Sequence, residues 1–131
     1  MELKDAIKIA KQARLNARAT NYYVGSCLVT KTGKAYFGCN IENDGIQSIC
    51  AERTAFVKAL SEGESEFSYI VVVGASKEAP VLDKCLPCGY CRQFMNQYVD
   101  DKFKIYACFG ENDEIEEYLI NDLLPHSFKL E

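Results

Sequence analysis

"YIVVVGA", Tyr69 to Ala75, decides what kind of fold this chain adopts. A continuous apolar run rich in β-branched residues reads as a strand buried on both faces, which requires helices on either side of its sheet. The flanking segments supply them. Upstream, "CAERTAFVKALSEG" (Cys50 to Gly63) reads as a helix, with Ser48 as its N-cap and Gly63 as its C-terminal stop. Downstream, "CGYCRQFMNQY" (Cys88 to Tyr98) reads as a helix starting after Pro87. "KIYACFG" (Lys104 to Gly110) is the next strand, which closes a βαβ unit.

Working outward, Leu3, Ile7, Ala10, Ala13 and Ala17 recur at helical spacing with Lys and Arg between them, predicting an amphipathic first helix laid against the sheet. "YYVGSCLVT", "KTGK" and "AYFGCNI" read as two strands around a glycine turn. The tail "EIEEYLINDLLPHSF" is compatible with a strand or a turn, followed by a short helix stopped by Pro125. A hairpin first and βαβ units afterwards predict an α/β chain, a mixed sheet with helices packed on its faces. With 131 residues, 48% of them hydrophobic, and no repeat or low-complexity linker, residues 1–131 are expected to form one domain.

Composition removes several function classes. No apolar run approaches the roughly 20 residues of a membrane span. The stretch "MELKDAIKIAKQARLNARA" alternates charged and apolar residues where a signal peptide would be uniformly apolar, so a cytoplasmic protein is expected. A net charge of -4 lacks the basic footprint that phosphate contacts demand, which favours a small-molecule substrate over a nucleic acid. Seven cysteines, an odd number in a chain large enough to fold without staples, argue for metal ligation or buried thiols over a disulfide framework.

The sulfurs have a pattern. Cys88 and Cys91 stand three apart at a helix start, so both point to one face and gain from the positive end of the helix dipole, which favours thiolates. Cys50 opens the other helix and is the natural third ligand of a tetrahedral zinc ion. Three protein ligands leave a fourth position for water, the arrangement of a catalytic zinc. Glu52, two residues from Cys50, is an acid beside the metal for which a structural site has no use. Three thiolates and Zn²⁺ leave a net negative charge, and Arg53 and Arg92, one after each ligand segment, are expected to offset it by hydrogen bonding to sulfur. The same thiols admit two plainer readings: a redox-active Cys-x-x-Cys pair, or a structural zinc completed by Cys85 with Cys50 as a core thiol.

"CAE" at Cys50 to Glu52 followed by "PCGYCRQ" at Pro87 to Gln93 resembles the paired zinc motifs of the cytidine deaminase superfamily, whose Cys₃ zinc and non-ligand glutamate are a general feature of the class. "VGSCLVTKTGKAYFGCNIEN", "CAERTA", "SEGESEF", "PCGYCRQ" and "LLPHSF", in that order along nearly the whole chain, resemble the small homotetrameric cytidine deaminases. The resemblance implies a three-layer α-β-α fold around a five-stranded sheet. It also implies one Zn²⁺ per subunit, hydrolysis of the 4-amino group of cytidine or deoxycytidine in pyrimidine salvage, and a homotetramer. By the same resemblance Cys50, Cys88 and Cys91 hold the zinc and Glu52 shuttles protons. Asn40 and Glu42 hold ribose hydroxyls, Tyr22 packs near the substrate, and Phe128 stacks on the pyrimidine of a neighbouring subunit.

Three departures from that family pattern lie near the substrate: the loop "NDGIQSI" is one residue short, Tyr90 replaces a small residue between the paired cysteines, and Ala19 and Thr20 stand where a Tyr-Ser pair is usual. Tyr90 is expected to narrow or re-floor the site. These departures leave open a modified cytosine nucleoside, of the kind handled by the related blasticidin S deaminases. A zinc module that only binds partners is the alternative of a different class, and Glu52 argues against it.

Overall fold

A computed structural model describes residues 1–131. Its elements are helix α1 (Leu3–Arg14), strands β1 (Tyr22–Thr30) and β2 (Ala35–Cys39), helix α2 (Ala51–Ser61), strand β3 (Phe67–Ser76), helix α3 (Gly89–Asn96), strands β4 (Lys104–Phe109) and β5 (Glu114–Leu119), and the short helix α4 (Ile120–Leu123). The strands form one five-stranded sheet in the order β2-β1-β3-β4-β5. β1 runs antiparallel to β2 and to β3, β3 pairs parallel with β4, and β5 returns antiparallel to β4. The expected mixed α/β sheet is therefore present, with "YIVVVGA" at its centre.

Alternation along the strands sorts the core into two layers. Cys27 and Val29 of β1 with Val71 and Val73 of β3 meet Ala6, Ile7 and Ala10 of α1 on one face. Leu28, Ile70, Val72 and Ile105 meet Phe56 of α2 and Cys91 and Met95 of α3 on the other. Both layers are covered, which is why β3 carries no polar side chain between Ile70 and Ala75.

Two strand glycines set how closely helices approach. A Cβ on Gly25 would lie 2.1 Å from the Ala10 carbonyl oxygen of α1, and one on Gly38 would lie 2.5 Å from the Ala51 carbonyl oxygen and 2.7 Å from the Ala55 nitrogen of α2. Beside Gly38 the buried Ser26 hydroxyl donates to the same Ala51 carbonyl at 2.8 Å. The start of α2 thus sits directly on the sheet.

One helix start differs from the sequence expectation. The N-cap of α2 is Cys50, and Ser48 instead closes a 3-10 turn at Gly45–Gln47. The reason is tertiary: Ile41 and Ile49 exchange both backbone hydrogen bonds, at 2.9 and 3.0 Å, which holds the chain extended up to Cys50. The ambiguous tail resolves into β5 followed by α4, which ends two residues before Pro125.

Candidate metal centre

Cys50 is the N-cap of α2 and Cys88 the N-cap of α3, and Cys91 lies in the first turn of α3. Neither N-cap sulfur bonds its own helix, so both remain free to bind something else. The three Sγ atoms lie within 4.8 Å of one another, with Cys50 and Cys88 3.9 Å apart. Tetrahedral zinc with Zn–S bonds near 2.3 Å separates its sulfurs by ~3.8 Å. The trio therefore fits zinc, and three donors leave one position open. It does not pair as a disulfide, since all seven cysteines are free thiols.

The electrostatics favour thiolates. Two helix N-termini point at the trio. A hydrogen bond from Cys91, then bonds from Arg53 and Cys88, pull the Cys50 thiol well below its ordinary value, outweighing burial. Arg53 sits against both the Cys91 and Cys50 sulfurs, and its Nη2 donates to the Ser48 carbonyl at 3.2 Å. Glu52 is 4% exposed, and burial pushes its carboxyl up to about 7; the nearby Cys50 charge adds to this, and Arg53 opposes it. A carboxyl poised there exchanges protons readily near neutral pH.

The pinched Ile41–Ile49 pair brings the end of β2 beside the trio. At its base the Asn40 Oδ1 accepts from Val24 N–H and its Nδ2 donates to the Tyr22 carbonyl, both at 2.8 Å, which commits one of its two N–H donors. Glu42 accepts through Oε1 from the Thr20 N–H and hydroxyl, at 3.0 and 3.1 Å, so Oε2 stays unpaired. Thr20, one of the departures noted in the sequence, thereby orients Glu42. The Tyr22 hydroxyl donates to Asp83 at 3.1 Å, and its ring lies against Gly74 and Cys85. Phe128 is 68% exposed, its carbonyl held by Gln93 and Asn96 of α3 while its ring packs in neither core.

Arg92 departs from expectation. Its Nε donates to the Pro87 carbonyl at 2.6 Å and its Nη1 to the Leu123 carbonyl at 3.0 Å, so it pins the loop before Cys88 and the end of α4 instead of bonding sulfur. On α3 its position follows that of Cys91 by one residue, about 100° around the helix, which turns it off the metal face. The Tyr90 ring lies over Arg53 and is 70% exposed. The sequence reading missed Ser26, Gly38, Gly74 and Asp83. An isolated glycine inside a strand signals close backbone approach and could have flagged two of them. A crevice of about 580 Å³ between α1 and the β4–β5 turn is lined by Lys11, Arg14 and Asp113 and contains none of these residues.

Residues 1–107 match the family model of the cytidine and deoxycytidylate deaminase zinc-binding region. The chain is 38% identical to a cytidine deaminase of Sporosarcina psychrophila over 134 residues, covering 100% of this chain and 94% of that one. A solved cytidine deaminase of Burkholderia pseudomallei superposes with a TM-score of 0.80 at 36% identity, over 98% of this chain and 100% of its own. A solved cytidine deaminase of Mycobacterium tuberculosis, 23% identical and covering 99% of both chains, shares the fold with a TM-score of 0.79. Full-length likeness, a matched zinc-binding region and three sulfurs at zinc spacing agree, and the chain belongs to the cytidine and deoxycytidylate deaminase zinc-binding family.

Proposed function

We propose that this chain is a zinc-dependent cytidine deaminase, converting cytidine or deoxycytidine and water to uridine or deoxyuridine and ammonia. The observation that carries the reading is the convergence of three sulfurs at two helix starts with the buried carboxyl of Glu52 beside them. In this reading Cys50, Cys88 and Cys91 hold one Zn²⁺. When bound, zinc acts as a Lewis acid that lowers the pKa of a water from 15.7 toward ~7.

The chain's own groups handle binding and protons. Glu52 takes a proton from the attacking water as its oxygen bonds to C4, and delivers that proton to N3. It then moves the remaining hydroxyl proton to the 4-amino nitrogen, the C4–N bond breaks and ammonia leaves. The remaining N–H of Asn40 and the free Oε2 of Glu42 suit a donor and an acceptor for two ribose hydroxyls. Tyr22 packs beside the base. Arg53 offsets the thiolate charge by its proximity to Cys50 and Cys91; Arg92 contributes by fixing the loop that carries Cys88.

The exposed ring of Phe128 suits a contact with the substrate of a neighbouring subunit, and exposed Phe37, Ile46 and Val57 supply apolar surface for assembly. The reading includes a homotetramer, checked by a light-scattering mass four times the 14.7 kDa of one chain. A role in pyrimidine salvage in the cytoplasm by a single domain completes it; no helix is long and apolar enough to cross a membrane.

The test is conversion of cytidine to uridine by zinc-loaded protein, beside Glu52→Gln. Wild-type turnover, with a loss of at least about 10²-fold in the variant at equal zinc content, is expected. Equal turnover in the two proteins would remove Glu52 from the mechanism, and zinc-loaded wild type that releases no uridine would remove the substrate assignment.

A further inference from the structure

The Arg53 guanidinium is the one cation against the cysteine sulfurs, yet few bonds hold it in plane. A guanidinium carries five N–H donors. Of these Nη2 reaches the Ser48 carbonyl at 3.2 Å, and Nε is buried without a hydrogen-bond partner. Its charge also faces the sulfurs of Cys91 and Cys50, which are large, weakly directional acceptors. Something else must fix the plane of the group.

Tyr90 does. Its ring centroid lies 4.4 Å from Arg53 Cζ, well inside the ~6 Å range of a cation–π contact. The ring is 70% exposed and belongs to neither apolar core, so core packing does not explain its presence. It stands in the first turn of α3 between Cys88 and Cys91, while Arg53 stands in the first turn of α2. The stack therefore ties the two helix starts together at the point where the three sulfurs meet. We propose that Tyr90 is a positioning residue that clamps the Arg53 guanidinium onto the cysteine sulfurs and thereby strengthens their hold on zinc. The aromatic face is what matters, and the hydroxyl is dispensable.

The inference rests on the zinc reading of the trio and adds to it a specific route of action, through Arg53. The experiment is competition for zinc between the protein and a chromogenic chelator, with wild type, Tyr90→Ala, Tyr90→Phe, Arg53→Gln and the Tyr90→Ala/Arg53→Gln pair. Tyr90→Ala is expected to weaken zinc binding about fivefold and Tyr90→Phe to stay within about twofold of wild type. Arg53→Gln is expected to cost about 10- to 100-fold, and the pair no more than Arg53→Gln alone, because a residue acting through Arg53 has nothing left to act on. Tyr90 is exposed, so its variants fold, which circular dichroism checks. Unchanged affinity in Tyr90→Ala would overturn the proposal, as would full additivity in the pair or a Phe variant as weak as Ala. So would a Tyr90→Ala effect confined to the assembly state. A wild-type protein that takes no zinc from the chelator would overturn the zinc reading itself, an outcome distinct from all of these.

Discussion

Replacing Gly38 with alanine should disable the protein from a position that touches no proposed ligand. The new Cβ would lie 2.5 Å from the Ala51 carbonyl oxygen and 2.7 Å from the Ala55 nitrogen. Ordinary contact needs about 3.5 Å, so the start of α2 must retreat by about 1 Å. Both obstacles are backbone, and no side chain can swing aside to relieve them. The retreat also stretches the 2.8 Å bond from Ser26 to Ala51. Overpacking of this kind costs up to about 3 kcal/mol, and at roughly 3–4 °C per kcal/mol for a chain of this size the melting temperature should fall by about 10 °C. Function should suffer more than stability: Cys50 and Glu52 ride on the displaced turn, and a 1 Å misplacement can cost about 10²-fold in rate. The assay is a thermal melt followed by circular dichroism, with initial rates of cytidine conversion below the melting range. Gly89→Ala is the control, since a Cβ there meets nothing within 4 Å and its backbone φ is not in the left-handed region, so its melting temperature should match wild type. A Gly38→Ala protein that melts within about 2 °C of wild type and keeps its rate would refute the argument that close approach at this glycine sets the site.

Two further outcomes test the interior. Phe56 is fully buried, with Phe67 at 5.2 Å and Phe103 at 6.0 Å between ring centroids; Phe56→Ala should lose about 3–5 kcal/mol in urea unfolding, and a loss under about 1.5 kcal/mol would mean the site collapses. Burial pushes the Cys27 thiol up to about 11 and the Cys85 thiol up to about 12, so both stay protonated, and hence poor nucleophiles, at pH 8. Iodoacetamide followed by peptide mass mapping at pH 8 should leave Cys27 unmodified and label Cys85 far more slowly in folded protein than in guanidinium; labelling of Cys85 at the rate of a free thiol would contradict its raised pKa.

What could be read from the chain was whatever depends on short spacing. The run from Tyr69 to Ala75 declared a strand covered on both faces because no position alternates to polar, and that strand is central in the sheet. Cys88 and Cys91 declared a shared face because three residues make nearly one helical turn. Reading faltered where distant residues decide. Ser48 is the better capping residue by propensity, but the Ile41–Ile49 pairing keeps the chain extended past it and hands the cap to Cys50. Arg92 follows a cysteine just as Arg53 follows Glu52, yet the carbonyls of Pro87 and Leu123 claim it. Nothing in the local sequence announces either contact.

The convergence of the sulfurs itself follows from topology. Because β1 is antiparallel to both of its neighbours, β2 and β3 run in the same direction, and β4 runs with them. Each of β2 and β3 is followed by a helix that packs on the same face of the sheet. Both helices must therefore begin at the same end of the sheet, beyond the carboxyl ends of the strands, where α/β folds gather their ligands. The β1 strand separates β2 from β3, so the two helix starts are not adjacent by pairing alone. Small residues on that face close the remaining gap: Gly38 and Ser26 let α2 sit down on the sheet, and Gly74 admits Cys85 and Tyr22 beside it. Hydrophobic pattern supplies the sheet, topology supplies the shared edge, and the missing side chains at Gly38 and Gly74 supply the last few ångströms that bring Cys50 within 3.9 Å of Cys88.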